Sequence, residues 1–69
     1  MIKTYMIDMT FASRRSARFV GHLRGPVRGR PAIARQIEAN RAWLAAKGHR
    51  ETGLVVTDKS DGSVVEGYA

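Results

Sequence analysis

Apolar residues recur with helical spacing in residues 31–47. Three large ones lie four and seven positions apart, which places them on one face of an α-helix: Ile33, Ile37 and Leu44. Pro31 suits the first helical turn, where its missing N–H costs no hydrogen bond, and Gly48 suits the residue just past the end. Alanine, the strongest helix former, recurs through the segment. The pattern predicts a helix over 31–47 that packs on a sheet, with Asn40 either hydrogen-bonded or at the edge of the apolar face.

Two segments before this helix alternate with the period of a β-strand. Residues 1–11 predict a strand with one mixed face and one apolar face, and the apolar face carries Met1, Tyr5, Ile7, Met9 and Phe11. Residues 12–16 indicate a turn. Residues 17–24 alternate again, so we expect a second strand that pairs with the first. A short helix with Ser13 as its N-cap is the alternative for this segment, because periodicity does not decide short apolar runs.

The remaining segments complete the expected fold. Residues 25–30 (GPVRGR) predict a loop, because glycine and proline interrupt any regular pattern. Residues 50–58 are rich in β-branched side chains and predict a third strand. An Asp-Gly turn in residues 59–62 joins it to a last strand at 63–68, as in a hairpin. The expected fold is a single α+β domain over residues 1–69, with one helix packed on a four-stranded, mainly antiparallel sheet in ββαββ order.

The chain is strongly basic, and its arginines are concentrated in one part. It has 12 Lys and Arg against 6 Asp and Glu, a formal net charge of +6, and no acidic residue between Asp8 and Glu38. Guanidinium groups form paired hydrogen bonds with phosphate and carboxylate and stay charged at physiological pH. We expect a basic binding surface made of Arg14, Arg15, Arg18, His22, Arg24, Arg28, Arg30 and Arg35.

This basic surface has three interpretations. It binds a nucleic-acid backbone through salt-sensitive phosphate contacts, docks on an acidic patch of a protein, or is a solvated face that keeps a small protein soluble. Trp43, at the edge of the apolar helix face, has two interpretations. It is either a half-buried margin of the core or an anchor in a protein interface, where tryptophan is enriched.

The sequence offers little chemistry for catalysis. His22 and His49 are its only ordinary general bases near neutral pH, and neither has a serine, cysteine or carboxylate at a spacing that completes a nucleophilic pair. Two histidines without cysteine also fall short of the ligand set of a structural zinc site. We therefore expect a non-enzymatic protein with no cofactor and no metal.

Length and hydropathy limit location and assembly. No apolar run approaches the ~20 residues of a membrane-spanning helix, and the N-terminal residues lack the continuous apolar core of a signal peptide. The absence of cysteine suits a reducing cytoplasm, so we expect a cytoplasmic protein that does not bind membranes. A domain of this length buries only ~60% of the surface that its unfolded chain exposes, which predicts marginal stability and allows a monomer or a homodimer.

Residues 1–8 (MIKTYMID) and 49–53 (HRETG) resemble segments of small phage-encoded anti-CRISPR proteins that act on type I surveillance complexes. The short length and the expected order of strands and helix are also similar. The resemblance implies a non-enzymatic binder in the cytoplasm of a bacterial host, which docks on Cas subunits and blocks target DNA. It assigns no binding residues in this chain.

The charge of this chain differs from that of the many anti-CRISPR proteins that are acidic mimics of DNA. A basic inhibitor would contact an acidic Cas surface, the bound RNA or the DNA itself. The leading hypothesis is an inhibitor that docks through its arginine surface and interferes with target DNA binding. One alternative is a small basic nucleic-acid-binding protein or phage regulator that contacts DNA or RNA phosphates directly. Another is a small structural or toxin-like protein that dimerises for stability.

Overall fold

The computed structural model describes residues 2–15 and 20–68. These residues form three strands and one helix, which are β1 (Thr4–Ser13), β2 (Val20–Arg28), α1 (Arg30–Lys47) and β3 (His49–Asp58). The sheet has the order β2-β1-β3, and both pairings are antiparallel. The α+β class is confirmed, and the element order within the described residues is ββαβ.

Helix α1 forms as its apolar spacing predicts. Its buried residues are Ile33, Ile37 and Leu44. Gly48 ends the helix in the left-handed conformation, with φ 74°, a backbone geometry that glycine adopts without steric cost. Asn40 lies at the edge of the apolar face, where its side-chain oxygen accepts a hydrogen bond of 2.9 Å from Gln36 Nε2. The interruption of the apolar face therefore leaves no unpaired amide oxygen in the core.

The central strand, β1, supplies the largest share of the core. Every second side chain is buried and packs in one cluster with the apolar face of α1. Four residues of β1 form this row, as its alternation predicts: Tyr5, Ile7, Met9 and Phe11. Met1, which was assigned to the same face, lies outside the described residues. Because α1 contacts all three strands from this side, one face of the sheet is covered.

The prediction of a loop at residues 25–30 is wrong. Strand β2 continues to Arg28 and α1 begins at Arg30, so a single residue connects them. Pro26 is tolerated because β2 is an edge strand, where one side of the backbone has no neighbouring strand that needs an N–H donor. Gly29, with φ 83°, then turns the chain into the helix.

The second strand is confirmed from Val20 onward, so the alternative of a short helix is wrong for residues 20–24. Residues 16–19, which include the start of the predicted strand, lie outside the described residues.

The fourth strand predicted at residues 63–68 is also wrong, and the sheet has three strands among the described residues. The segment makes one isolated bridge, between Thr57 and Val64. Val65 and Tyr68 instead pack against the core cluster, which removes apolar surface from water. Gly67, with φ 96°, provides the change of direction.

The turn after β3 makes stability sensitive to acid. Asp58 accepts hydrogen bonds from the Ser60 hydroxyl at 2.7 Å and the Ser60 backbone N–H at 2.9 Å, and it pairs with Lys3 Nζ at 3.1 Å. These contacts lower the pKa of Asp58 to about 2. The Asp58 carboxylate therefore binds a proton more weakly in the folded state than in the unfolded chain, in which the pKa of Asp is ~3.9.

We expect the free energy of unfolding to fall as the pH drops from about 4 to about 2, since the Asp58 contribution is complete above the unfolded pKa and is lost through the folded one. Urea unfolding across this pH range would measure the effect. Asp58→Asn should have a shallower acid dependence than the wild type, whereas Glu66→Gln, at an exposed carboxylate, should keep it. An Asp58→Asn variant with the wild-type acid dependence would contradict this assignment.

Candidate docking surface

The second face of the sheet has no helix over it within the described residues, and we call it the uncovered sheet face. Cross-strand partners lie on the same side of a sheet, so the register defines its members. Its centre is formed by alternate residues of three strands: Thr4, Met6, Asp8 and Thr10 of β1; His22, Arg24, Pro26 and Arg28 of β2; and Val55 and Thr57 of β3. Three of the predicted basic residues therefore meet there: His22, Arg24 and Arg28.

Both arginines of the uncovered sheet face have exposed side chains that are available for a ligand. Arg24 and Arg28 are four residues apart on β2, which separates their Cα atoms by about 13 Å. Neither forms an ion pair within the described residues. Asp8 lies opposite Arg24 in the register, but its carboxylate contacts His22 Nδ1 at 3.0 Å. The guanidinium groups are thus free to bind an outside anion.

An apolar strip crosses the uncovered sheet face, from Pro26 between the two arginines to Val55 in the row of Arg24. Pro26 and Met6 are cross-strand partners, and Val55 lies on β3 opposite Asp8, diagonal to Met6. Pro26 is exposed, and Val55 keeps 48% of its surface in solvent. Contiguous exposed apolar residues with a polar rim are typical of interaction sites. The surface combines apolar contact area at its centre with positive charge at its edge.

The other predicted arginines lie elsewhere, so the structure divides the expected basic surface. Arg14 and Arg15 follow the end of β1, while Arg30 and Arg35 belong to α1 and are exposed. Because α1 packs on the opposite face of the sheet, Arg35 faces away from Arg24 and Arg28. A further site residue, Arg18, lies outside the described residues.

Two other cationic side chains, Arg41 and Lys3, form ion pairs with carboxylates. Arg41 donates hydrogen bonds of 2.6 and 3.1 Å to the two carboxylate oxygens of Glu51, which lowers the pKa of Glu51 and raises that of Arg41. Lys3 pairs with Asp58, and this contact raises the pKa of Lys3. These pairs remove both cations from the set that is available to a partner.

Trp43 lies on the rim of the helix contact and keeps 43% of its surface in solvent. Its ring meets Phe11 edge-on, with centroids 6.0 Å apart, and lies 6.1 Å from the ring of His49. The two interpretations made from the sequence, core margin and interface anchor, both fit a half-exposed ring of this kind.

Sequence reasoning missed the apolar strip. Met6 was placed on a mixed, half-solvated face of β1, but Pro26 was assigned to a loop and Val55 only to the centre of a strand. The available signal was the alternation of β3, in which Val55 must face opposite to Leu54 and Val56. The strip becomes visible only when the three strands are set in register.

The described residues contain no group of three or more His, Asp or Glu side chains placed to hold a metal ion. None of the helices in residues 2–15 and 20–68 combines the length and the apolar character needed to cross a bilayer.

No model of a protein family, no curated protein and no solved structure significantly matches this chain. The class of protein is accordingly defined by fold and surface. Residues 2–15 and 20–68 form a small α+β domain in which one helix covers one face of a three-stranded sheet and leaves the other face exposed.

Proposed function

We propose that this protein is a non-enzymatic binding protein that docks on an acidic protein surface through the uncovered sheet face. The observation that carries the proposal is the apolar strip of Met6, Pro26 and Val55, flanked by the exposed, unpaired guanidinium groups of Arg24 and Arg28. Interfaces between proteins combine an apolar centre with a polar rim, and arginine and methionine are enriched in them.

The centre of the surface favours a protein over a free nucleic acid as the partner. Asp8 places a carboxylate in the middle of the uncovered sheet face, where it would repel a phosphate backbone. The apolar strip gains free energy when it is removed from water, and phosphates offer it no apolar partner. A protein surface with acidic groups around an apolar patch satisfies both features.

The resemblance of residues 1–8 and 49–53 to anti-CRISPR proteins suggests which partner to examine first. We propose a Cas subunit of a type I CRISPR-Cas surveillance complex, on which docking would keep target DNA from engaging. In this role the protein acts as a steric inhibitor and performs no chemistry of its own. The basic charge then supports fast association with an acidic Cas surface.

Charge reversal on the sheet tests this proposal. Arg24→Glu and Arg28→Glu should each weaken binding to purified type I complexes by at least about tenfold, because each removes a favourable charge and adds a repulsive one. Arg35→Glu is the matched control, since it makes the same change in net charge on the exposed side of α1. Its affinity should stay within about threefold of the wild type.

Biolayer interferometry on immobilised complexes would give these affinities, with circular dichroism to verify folding. Equal losses in all three variants would indicate a long-range charge effect without a specific surface. Unchanged binding in all three, or no binding by the wild type, would exclude docking on these complexes through this face.

Direct binding to nucleic acid is a second candidate, favoured by the net charge of +6 and by the unpaired arginines. It predicts that the isolated protein binds generic double-stranded DNA with an affinity that falls steeply with salt, by a slope of about −0.9 per phosphate contacted. Fluorescence anisotropy across a salt series, with size-exclusion chromatography for the oligomeric state, distinguishes the two candidates. Weak binding without a steep salt dependence would favour the protein partner.

A further inference from the structure

A second surface lies where α1 ends, β1 ends and β3 begins, and we call it the tryptophan end. It consists of Trp43, Lys47 over its ring, and Arg14 and Arg15 in the segment that meets the end of α1. None of these residues belongs to the uncovered sheet face. A function of the tryptophan end is therefore independent of the function proposed for the uncovered sheet face.

The Trp43 ring is both exposed and held in place. Phe11, which is only 5% exposed, meets it edge-on at 6.0 Å, and the His49 ring lies 6.1 Å away on the neighbouring strand. The residue itself sits in the last turns of an 18-residue helix. A rigid, half-exposed aromatic ring loses little conformational entropy when a flat ligand stacks on it.

Cationic residues lie near this ring. Lys47 Nζ lies over the ring at 5.9 Å from its centroid, a distance typical of a cation–π contact. The Arg14 backbone N–H donates to the Gly48 carbonyl at 3.3 Å, which brings the segment that carries Arg14 and Arg15 beside the end of α1.

The nearby carboxylate does not cancel this charge. Glu51, at the start of β3, is held by two hydrogen bonds from Arg41. The Glu51 carboxylate is therefore already paired, while Lys47, Arg14 and Arg15 are exposed and form no ion pair among the described residues.

We infer that the tryptophan end binds single-stranded nucleic acid, with one base stacked on Trp43 and the neighbouring phosphates bound by Lys47, Arg14 and Arg15. An exposed aromatic ring set among cations is the arrangement that proteins use for single strands, because every base has a face to stack and every nucleotide carries a charge. A duplex does not fit this arrangement, since its base faces are already stacked on one another. The Lys47 ammonium exchanges its contact with the ring for a phosphate when the base arrives.

The chain has a single tryptophan, so its fluorescence reports on this surface alone. Titration of the wild-type protein with oligo(dT) at low salt should quench the emission in a saturable way. An abasic oligodeoxynucleotide of the same length carries the same phosphates without bases and should quench far less. Equal responses to both ligands, or no response to either, would overturn the inference.

Variants test the contributions of stacking and charge separately, with a labelled oligo(dT) and anisotropy as the readout. Trp43→Ala should weaken binding about 5- to 150-fold, the range found when a stacking aromatic is removed, and Trp43→Phe should restore most of the affinity. Lys47→Gln should lower the slope of log affinity against log salt by about 0.7 for one lost phosphate contact. An alanine variant that folds and binds as the wild type would exclude a stacked base.

The proposals for the two surfaces can be tested independently. Arg24→Glu should weaken docking on an acidic protein by at least about tenfold but leave the Trp43 quenching by oligo(dT) unchanged within about twofold. If Trp43→Ala instead weakens only binding to a Cas complex and has no effect on oligo(dT), the residue is a protein-interface anchor and the nucleic-acid inference is wrong.

Discussion

Replacement of Ile33 by alanine is expected to lower the free energy of unfolding by about 2–5 kcal/mol, the range seen when a buried Ile or Leu is truncated. Ile33 is 0% exposed and belongs to the same core cluster as Ile7 and Met9. The variant loses the transfer free energy of the deleted atoms and leaves a cavity that a helix docked on a sheet cannot fully close. A domain of this length is stable by only about 3–10 kcal/mol at typical values per residue. The variant should therefore lose a large part of the stability of the domain.

Urea unfolding followed by circular dichroism would measure this loss. Ile2→Ala is the matched control, because it deletes the same atoms from a side chain that is 63% exposed. Its stability should stay within about 0.5 kcal/mol of the wild type, as for most surface substitutions. Comparable losses in the two variants would contradict the docking of α1 through Ile33.

Gly21→Ala is expected to cost about 1–3 kcal/mol, the usual penalty for a group forced into a packed core. A Cβ atom at this position would lie 2.6 Å from Cζ of Phe11 and 3.1 Å from each Cε, closer than van der Waals contact allows. Gly21 and Phe11 are cross-strand partners, and the Phe11 ring is 5% exposed and packed against Trp43. The ring cannot move away without disturbing that contact.

The same strand provides a control for this substitution. Gly25→Ala adds the same methyl group where no atom lies within 4 Å of the new Cβ, so its stability should change by less than about 1 kcal/mol and could rise through a stiffer unfolded chain. In a double-mutant cycle, Phe11→Leu should cost less in the Gly21→Ala background than alone, because the shorter side chain relieves the clash. Equal effects of the two glycine variants, or strict additivity in the cycle, would contradict this packing.

The covered and uncovered faces of the sheet explain why both kinds of experiment are informative. Truncation of Ile33 reports on the face that folding requires. Charge reversal at Arg24 or Arg28 changes the other face, where the side chains contact solvent and folding depends little on their charge. Binding can therefore be altered there without loss of the fold.

The sequence predicted the elements whose patterns are local and strong. The spacing of Ile33, Ile37 and Leu44 and the glycine after Lys47 were enough for α1, because helix periodicity and capping act within a few residues. The alternation of β1 likewise identified which of its side chains are buried. Both predictions depend on interactions that neighbouring residues determine.

The failed predictions involve contacts between distant residues. Pro26 indicated a loop, but it lies in a strand because β2 pairs with β1 on one side only. Residues 63–68 have the composition of a strand, but they form one isolated bridge, and Val65 and Tyr68 pack on the core. In each case the pairing partner, and not the intrinsic preference of the segment, determined the outcome.

The arginines show the same limit for function. Their number and the net charge of +6 follow from composition, and charge alone indicates an anionic partner. Strand register and helix docking separate Arg24 and Arg28 from Arg35, and bring Met6, Pro26 and Val55 together on the same face as the first two. Local residue patterns are sufficient for the helix, the central strand and the sign of the charge because those depend on neighbours in the chain. The strand order, the exposed face and the grouping of its side chains come from pairing between distant segments, which no local pattern specifies.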